Sequence, residues 1–160
     1  MLALGIDPGI ATTGYGLVRE LEDGNLLVID YGIISTPKTD SGPVRLIQLY
    51  NEVRELLERH HPETCAVEKL FFSRNVTTAI DVGQARGVIL LALAQSGLQI
   101  SEYTPNEVKQ AVTGYGSADK KQMQEMVKMI LSLDKIPKPD DAADALAIAI
   151  THLNTRRYAI

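Results

Sequence analysis

Apolar residues recur along this chain at two different spacings, and the switches between them divide it into elements. The opening run LALGID, Leu2–Asp7, is apolar up to a carboxylate and closes on Asp7-Pro8-Gly9. Pro8 biases the residue before it toward extended backbone, so Asp7 is expected at the end of a strand. GYGLVRE and NLLVIDYGIIS read as two further strands joined through Glu22-Asp23-Gly24-Asn25, giving three successive antiparallel strands. From Pro43 to His61 the apolar positions Val44, Leu46, Ile47, Leu49, Val53, Leu56 and Leu57 recur at helical spacing among Arg and Glu, and Pro62 ends the helix. TCAVEKL follows as a short buried strand whose last residues include Glu68.

Residues 76–96 predict a long helix in which Asp81, Gln84, Arg86 and Gln95 are scattered among small and apolar groups. Ile89, Leu90, Leu91 and Leu93 cover more than one face, so this helix is expected to be buried against its own sheet and against a partner chain. LQISEYT reads as a strand, PNEVKQAVTG as a short helix with Pro105 in its first turn, and ADKKQMQEMVKMILSL as another helix. Pro137 and Pro139 cannot lie inside a helix, so DDAADALAIAITHLN begins one near Asp140, which reads as its N-cap. Asp141 and Asp144 are three residues apart and share one face of the first turn, where the helix dipole favours negative charge.

Composition narrows the classes. A chain of 160 residues can bury one good core, so residues 1–160 are read as a single domain. No apolar run reaches the length needed to span a bilayer, and MLALGIDPG lacks the basic start of a signal peptide, which argues against a membrane and for the cytoplasm. One cysteine, Cys65, excludes an internal disulfide and reads as a core thiol. The net charge of −4 speaks against a nucleic-acid partner, but residues 1–67 hold ten acids and five bases whereas residues 68–128 hold six acids and seven bases. A positive surface is therefore expected from the middle of the chain. His60, His61 and His152 form no zinc pattern; the first two read as complements to a helix C-terminus.

Four acids, Asp7, Glu68, Asp141 and Asp144, are each flanked by apolar residues. Two strand ends and an adjoining helix could bring them together, where their mutual repulsion demands cations. Hard oxygen ligands of this kind select Mg²⁺, with Mn²⁺ as a substitute. Taken singly, Asp7 also fits a turn before Pro-Gly, and Asp141 or Asp144 a first-turn helix acid. The glycine-rich stretch Gly9 to Gly16 could cradle a phosphate, although it lacks the GxxxxGK[ST] pattern of a P-loop. Phe71 and Phe72 are the only phenylalanines and lie side by side just after Glu68. Adjacent extended residues face opposite ways, so one ring is expected to be exposed, where it could stack on or wedge between bases.

GIDPG, AVEKLFFSRN, GQARG at Gly83 to Gly87, VKQAVTGYGSADK and DDAADALAIAITH together resemble the RuvC family of Holliday junction resolvases, in order and over nearly the whole chain. The resemblance implies an α/β, ribonuclease H-like fold: a mixed five-stranded sheet with helices on both faces, assembled as a homodimer. It implies that Asp7, Glu68, Asp141 and Asp144 are catalytic and hold two Mg²⁺ ions, that Phe71 stacks at the centre of a four-way DNA junction, and that Lys109 and Lys120 contact DNA near the scissile phosphate. Phe72, Arg74 and Lys121 are added as plausible DNA contacts. The implied reaction is paired, symmetric nicking that leaves 5′-phosphate and 3′-hydroxyl ends, with the branch-migration proteins RuvA and RuvB as partners. A YqgF-like RNA nuclease on the same fold, a junction-binding module whose metals are structural, and an actin-like or sugar-kinase-like ATPase remain as alternatives.

Overall fold

The computed structural model describes residues 1–69 and 75–157, so Phe71, Phe72 and Arg74 lie outside the described residues. Its elements run β1 (Leu2–Asp7), β2 (Thr12–Glu20), β3 (Leu26–Ser35), α1 (Gly42–His60), β4 (Thr64–Glu68), α2 (Val76–Gln95), β5 (Ile100–Tyr103), α3 (Pro105–Thr113), α4 (Lys120–Ile130) and α5 (Asp140–Arg157). The five strands form one sheet in the order β3-β2-β1-β4-β5. β1, β2 and β3 pair antiparallel, as their order in the sequence suggests, while β1 with β4 and β4 with β5 pair parallel.

Strand alternation sorts the core onto two faces. Leu2, Leu4 and Ile6 of β1 and Cys65 and Val67 of β4 pack with Leu49, Val53, Ile89 and Leu93 of α1 and α2. Ala3 and Ala66, the intervening residues, pack with Val108, Val127, Leu146 and Ile150 of α3, α4 and α5. Each large aliphatic side chain removed from water contributes about 1.5–3 kcal/mol, so both layers are held by the same physics.

The two faces differ in how closely their helices approach. A Cβ on Gly14 would collide with the carbonyl of Asp141, one on Gly5 with that of Ala145, and one on Gly16 with the backbone nitrogen of Leu146. These glycines let α5 lie directly on β1 and β2. This corrects the reading of Gly9 to Gly16 as a phosphate-cradling turn: β2 already begins at Thr12, and Gly14 and Gly16 lie beneath a helix.

Local signals end most helices where the sequence places them. Thr104 and Glu107 form a reciprocal capping box on α3, and Asp119 and Gln122 form one on α4. At α5 it is the Pro139 carbonyl that accepts the first bonds, from the Ala142 and Ala143 N–H groups. Asp140 is thus the first helical residue and not the cap. α2 is long and apolar enough to cross a membrane by length and composition, which corrects the reading that no segment reaches that length. It packs Ala85, Ile89, Ala92 and Leu93 inward and carries Asp81 and Arg86 within its span.

Candidate active site

Asp7 is the last residue of β1 and stands opposite Gly14 of β2. Glu68 is the last residue of β4, which runs parallel to β1 with Ile6 beside Val67. Two neighbouring strands therefore end on carboxylates at the same edge. The close seat of α5 on Gly14 brings Asp141 and Asp144 over that edge. Asp7, Asp141 and Asp144 each offer an oxygen within 4.8 Å of the others, and Glu68 shares a side-chain hydrogen bond with Asp7. All four acids predicted from the sequence meet, each half-buried.

Their protonation reflects the crowding. Burial first, and then the charge of Glu68 and of the two helix acids, pushes Asp7 up to about 9. Burial raises Glu68 as well, with the bond to Asp7 acting against it. Asp144 is pushed up to about 6 by burial, against the pull of Lys120 and with the added repulsion of Glu68 and Asp141. Four carboxylates so placed cannot all ionise by themselves at neutral pH, whereas a divalent cation among them favours the charged forms. The oxygen-only donor set and its spacing fit a hard cation such as Mg²⁺ or Mn²⁺.

Cations line the approach. Lys109 of α3 and Lys120 of α4 border one cleft with Glu68 and Asp144, over an apolar floor that includes Val108, Met123 and Ile148. The Lys120 ammonium lies 2.8 Å from Asp140 Oδ2, which raises its pKa. Lys121 is exposed on α4 outside that lining.

Sequence reasoning missed two cations here. Arg86 of α2 donates from Nε to the Glu68 carbonyl at 3.3 Å and lies 2.9 Å from Glu102 of β5, so it fixes the end of the strand that carries Glu68. A cation inside an otherwise apolar helix was the available signal. Lys138 lies 3.0 Å from Asp140 and had no distinguishing pattern.

The histidines take other roles. His60 lies in the last turn of α1 and His61 at its C-cap, as the helix-end reading has it, and His60 also lies 2.9 Å from Asp30 of β3. His152 is buried between Thr64 Oγ1 at 2.7 Å and the Tyr103 hydroxyl at 3.0 Å. Burial, and then Arg156, holds it down at about 4, so at neutral pH it is an uncharged tie between α5 and the strands. Cys65 is fully buried, and burial pushes its thiol up to about 12, as suits a core residue.

A sheet in this order, with acids ending the central strand β1 and its neighbour β4 and entering from the helix laid across the sheet, defines a ribonuclease H-like protein with an acidic centre. The family model for crossover junction endodeoxyribonuclease RuvC matches residues 3–152, and the chain belongs to that family. It is 61% identical over 155 residues to the crossover junction endodeoxyribonuclease RuvC of Chloroflexus aurantiacus, covering 97% of this chain and 94% of that one. The structure of Thermus thermophilus RuvC in complex with Holliday junction substrate matches with a TM-score of 0.94 at 37% identity, over 99% of this chain and 96% of that one. The yeast mitochondrial Holliday junction resolvase Ydc2 shares the fold, with a TM-score of 0.69 at 16% identity over 97% of this chain and 80% of that one.

Proposed function

We propose that this chain, as one nuclease domain over residues 1–160, resolves four-way DNA junctions by paired nicks in strands of like polarity. The observation that carries this reading is the cluster of Asp7, Glu68, Asp141 and Asp144, bordered by Lys109 and Lys120 in one cleft. Thermus thermophilus RuvC, which matches over nearly the full chain, is described in complex with a Holliday junction substrate.

In this mechanism the four carboxylates supply the oxygen ligands, with Asp7 giving up the proton that burial and its acidic neighbours hold on it. Two divalent cations, Mg²⁺ or Mn²⁺, would when bound supply Lewis acidity at the phosphoryl oxygen and lower the pKa of a water. Lys109 and Lys120 meet the phosphate and offset the charge that builds on it. The water oxygen bonds to phosphorus, the P–O3′ bond breaks, and a proton passes to the 3′ oxygen, leaving 5′-phosphate and 3′-hydroxyl ends. Phe71 stacks at the junction centre, and Phe72, Arg74 and Lys121 add base or phosphate contacts. A homodimer places two such sites on the two-fold symmetric substrate. RuvA and RuvB deliver that substrate.

The test is cleavage of a synthetic mobile junction beside a linear duplex of the same sequence, with Mg²⁺ and with chelator, using wild type and Asp7→Asn. The expected result is symmetric, Mg²⁺-dependent nicking of the junction alone, with cleavage lost by at least about a thousandfold in Asp7→Asn while junction binding persists. Wild-type cutting by that variant overturns the assignment, and preferential cutting of structured RNA points to the other nuclease class.

A further inference from the structure

We infer that Asp140 is a positioning residue that holds Lys120 and Lys138 as a preformed pair of ammonium groups, aimed at a DNA phosphate on the lip of the acidic cleft. The inference rests on the proposed nuclease reading and assigns two residues, Asp140 and Lys138, which that reading leaves without a role.

The geometry is specific. Oδ2 of Asp140 lies 2.8 Å from the Lys120 ammonium, while Oδ1 lies 3.0 Å from the Lys138 ammonium and accepts from Gln124 Nε2 at 3.0 Å. Gln124 is buried and sits one turn after Lys120 on α4, so a fixed donor orients the carboxylate before either flexible lysine arrives. Asp140 is adjacent in sequence to Asp141, yet it is not among the three acids whose oxygens converge. It faces α4 instead.

Stability does not account for this arrangement. The Lys120 and Lys138 side chains are 60% and 67% exposed, and exposed ion pairs contribute little to folding. Their placement matters more for what the lysines are kept from doing. A lysine is a point charge on a four-carbon stem, and beside a cluster of carboxylates it would fold onto one of them. Lys120 borders the same cleft as Asp144 and Glu68. On those oxygens it would compete with cations and be lost to the substrate. Asp140 provides an anchor outside the cluster. One carboxylate holding two ammonium groups also leaves a surplus positive charge at the lip, and because the pairs are weak, a phosphate can take over either lysine at small cost.

The experiment compares Asp140→Asn and Asp140→Glu in single-turnover cleavage of a synthetic junction in Mg²⁺, in junction binding in Ca²⁺, and in thermal unfolding. Asp140→Asn is expected to cut about tenfold more slowly, with affinity within about threefold and a midpoint within about 2 °C of wild type. Asp140→Glu, which can still reach both lysines, is expected to restore the rate to within about twofold. Lys138→Ala should flatten the salt dependence of junction binding by about one phosphate contact. A wild-type rate in Asp140→Asn, an equal loss in Asp140→Asn and Asp140→Glu, or an unchanged salt slope in Lys138→Ala overturns the inference. Asp7→Asn is run alongside: if it cuts normally, the nuclease site itself is misassigned, whereas an inactive Asp7→Asn beside a fully active Asp140→Asn sinks the positioning role alone.

Discussion

Asp7 closes β1 with its carboxyl buried against Glu68, and burial together with the neighbouring acids raises it from 3.8 to about 9. Between those two values the folded chain holds a proton that the unfolded chain has released, so this residue makes stability fall as pH rises through the window. Asp144, raised to about 6, acts in the same direction over a narrower range. His152 acts oppositely: lowered from 6.5 to about 4, it leaves the unfolded chain with more bound protons, and stability rises with pH between those values. Asp7→Asn removes the first effect and leaves that of His152, which is common to both proteins. In chelator at pH 8 the Asn variant is expected to be more stable than wild type by about 1–2 kcal/mol, with the gain shrinking toward pH 5. Urea unfolding across that range checks it. A variant less stable than wild type at pH 8 would mean that Asp7 holds the fold and not a cation.

The elements that carry the acids depend on one contact that local sequence does not announce. Gly14 lies in β2 where the carbonyl of Asp141 takes the space of a side chain. Gly14→Ala is expected to push the first turn of α5 off the sheet, destabilising the protein by about 2–4 kcal/mol and lowering cleavage at least about a hundredfold, because Asp141 and Asp144 move together. Unfolding and single-turnover cutting of one preparation, scored on the fraction that remains folded, separate the two effects. Normal cutting by the folded fraction would contradict the close seat of α5. This contact marks the boundary of what was legible in the sequence. The apolar run and Pro8 placed Asp7 at a strand end, and spacing put Asp141 and Asp144 on one helical turn, because both signals lie within a few residues. Gly14 and Gly16 were read within a strand, but the need for glycine there was not legible, since its reason is a helix more than a hundred residues away. Asp140 was taken for a cap for the same cause: two of its partners, Lys120 and Gln124, come from another helix. Arg86 shows the intermediate case, an anomaly visible in its own helix whose purpose only β4 and β5 explain.

At the scale of the whole molecule, the layer formed by α1 and α2 carries a set of apolar groups on its outer side. Val76, Ile80 and Leu91 of α2 are 69%, 55% and 53% exposed, and Ile47 of α1 is 61% exposed. Ile47 and Leu91, with Leu46, Tyr50 and Val88, line a shared apolar groove between the two helices. The acids lie at the ends of β1 and β4 and at the start of α5, which packs on the other face of the sheet, so a second copy could cover the α1 and α2 layer without blocking the cleft. A two-fold pair would then present two sites to a two-fold junction, and each junction would be cut twice within one encounter. Replacing Ile47 and Leu91 together by Glu puts two charges into each copy's groove, and is expected to weaken self-association at least about a hundredfold while leaving the monomer folded. Sedimentation across a concentration series measures the first effect. The second is read from a supercoiled cruciform plasmid: paired cuts linearise it, whereas unpaired cuts nick and relax it before the second strand is reached. The double variant should yield nicked circles where wild type yields linear product. If wild type sediments as a monomer at micromolar concentration yet still linearises the plasmid, the covered face lies elsewhere or pairing occurs only on DNA, and the same plasmid assay on the double variant decides between them, since loss of linear product there still requires these two side chains.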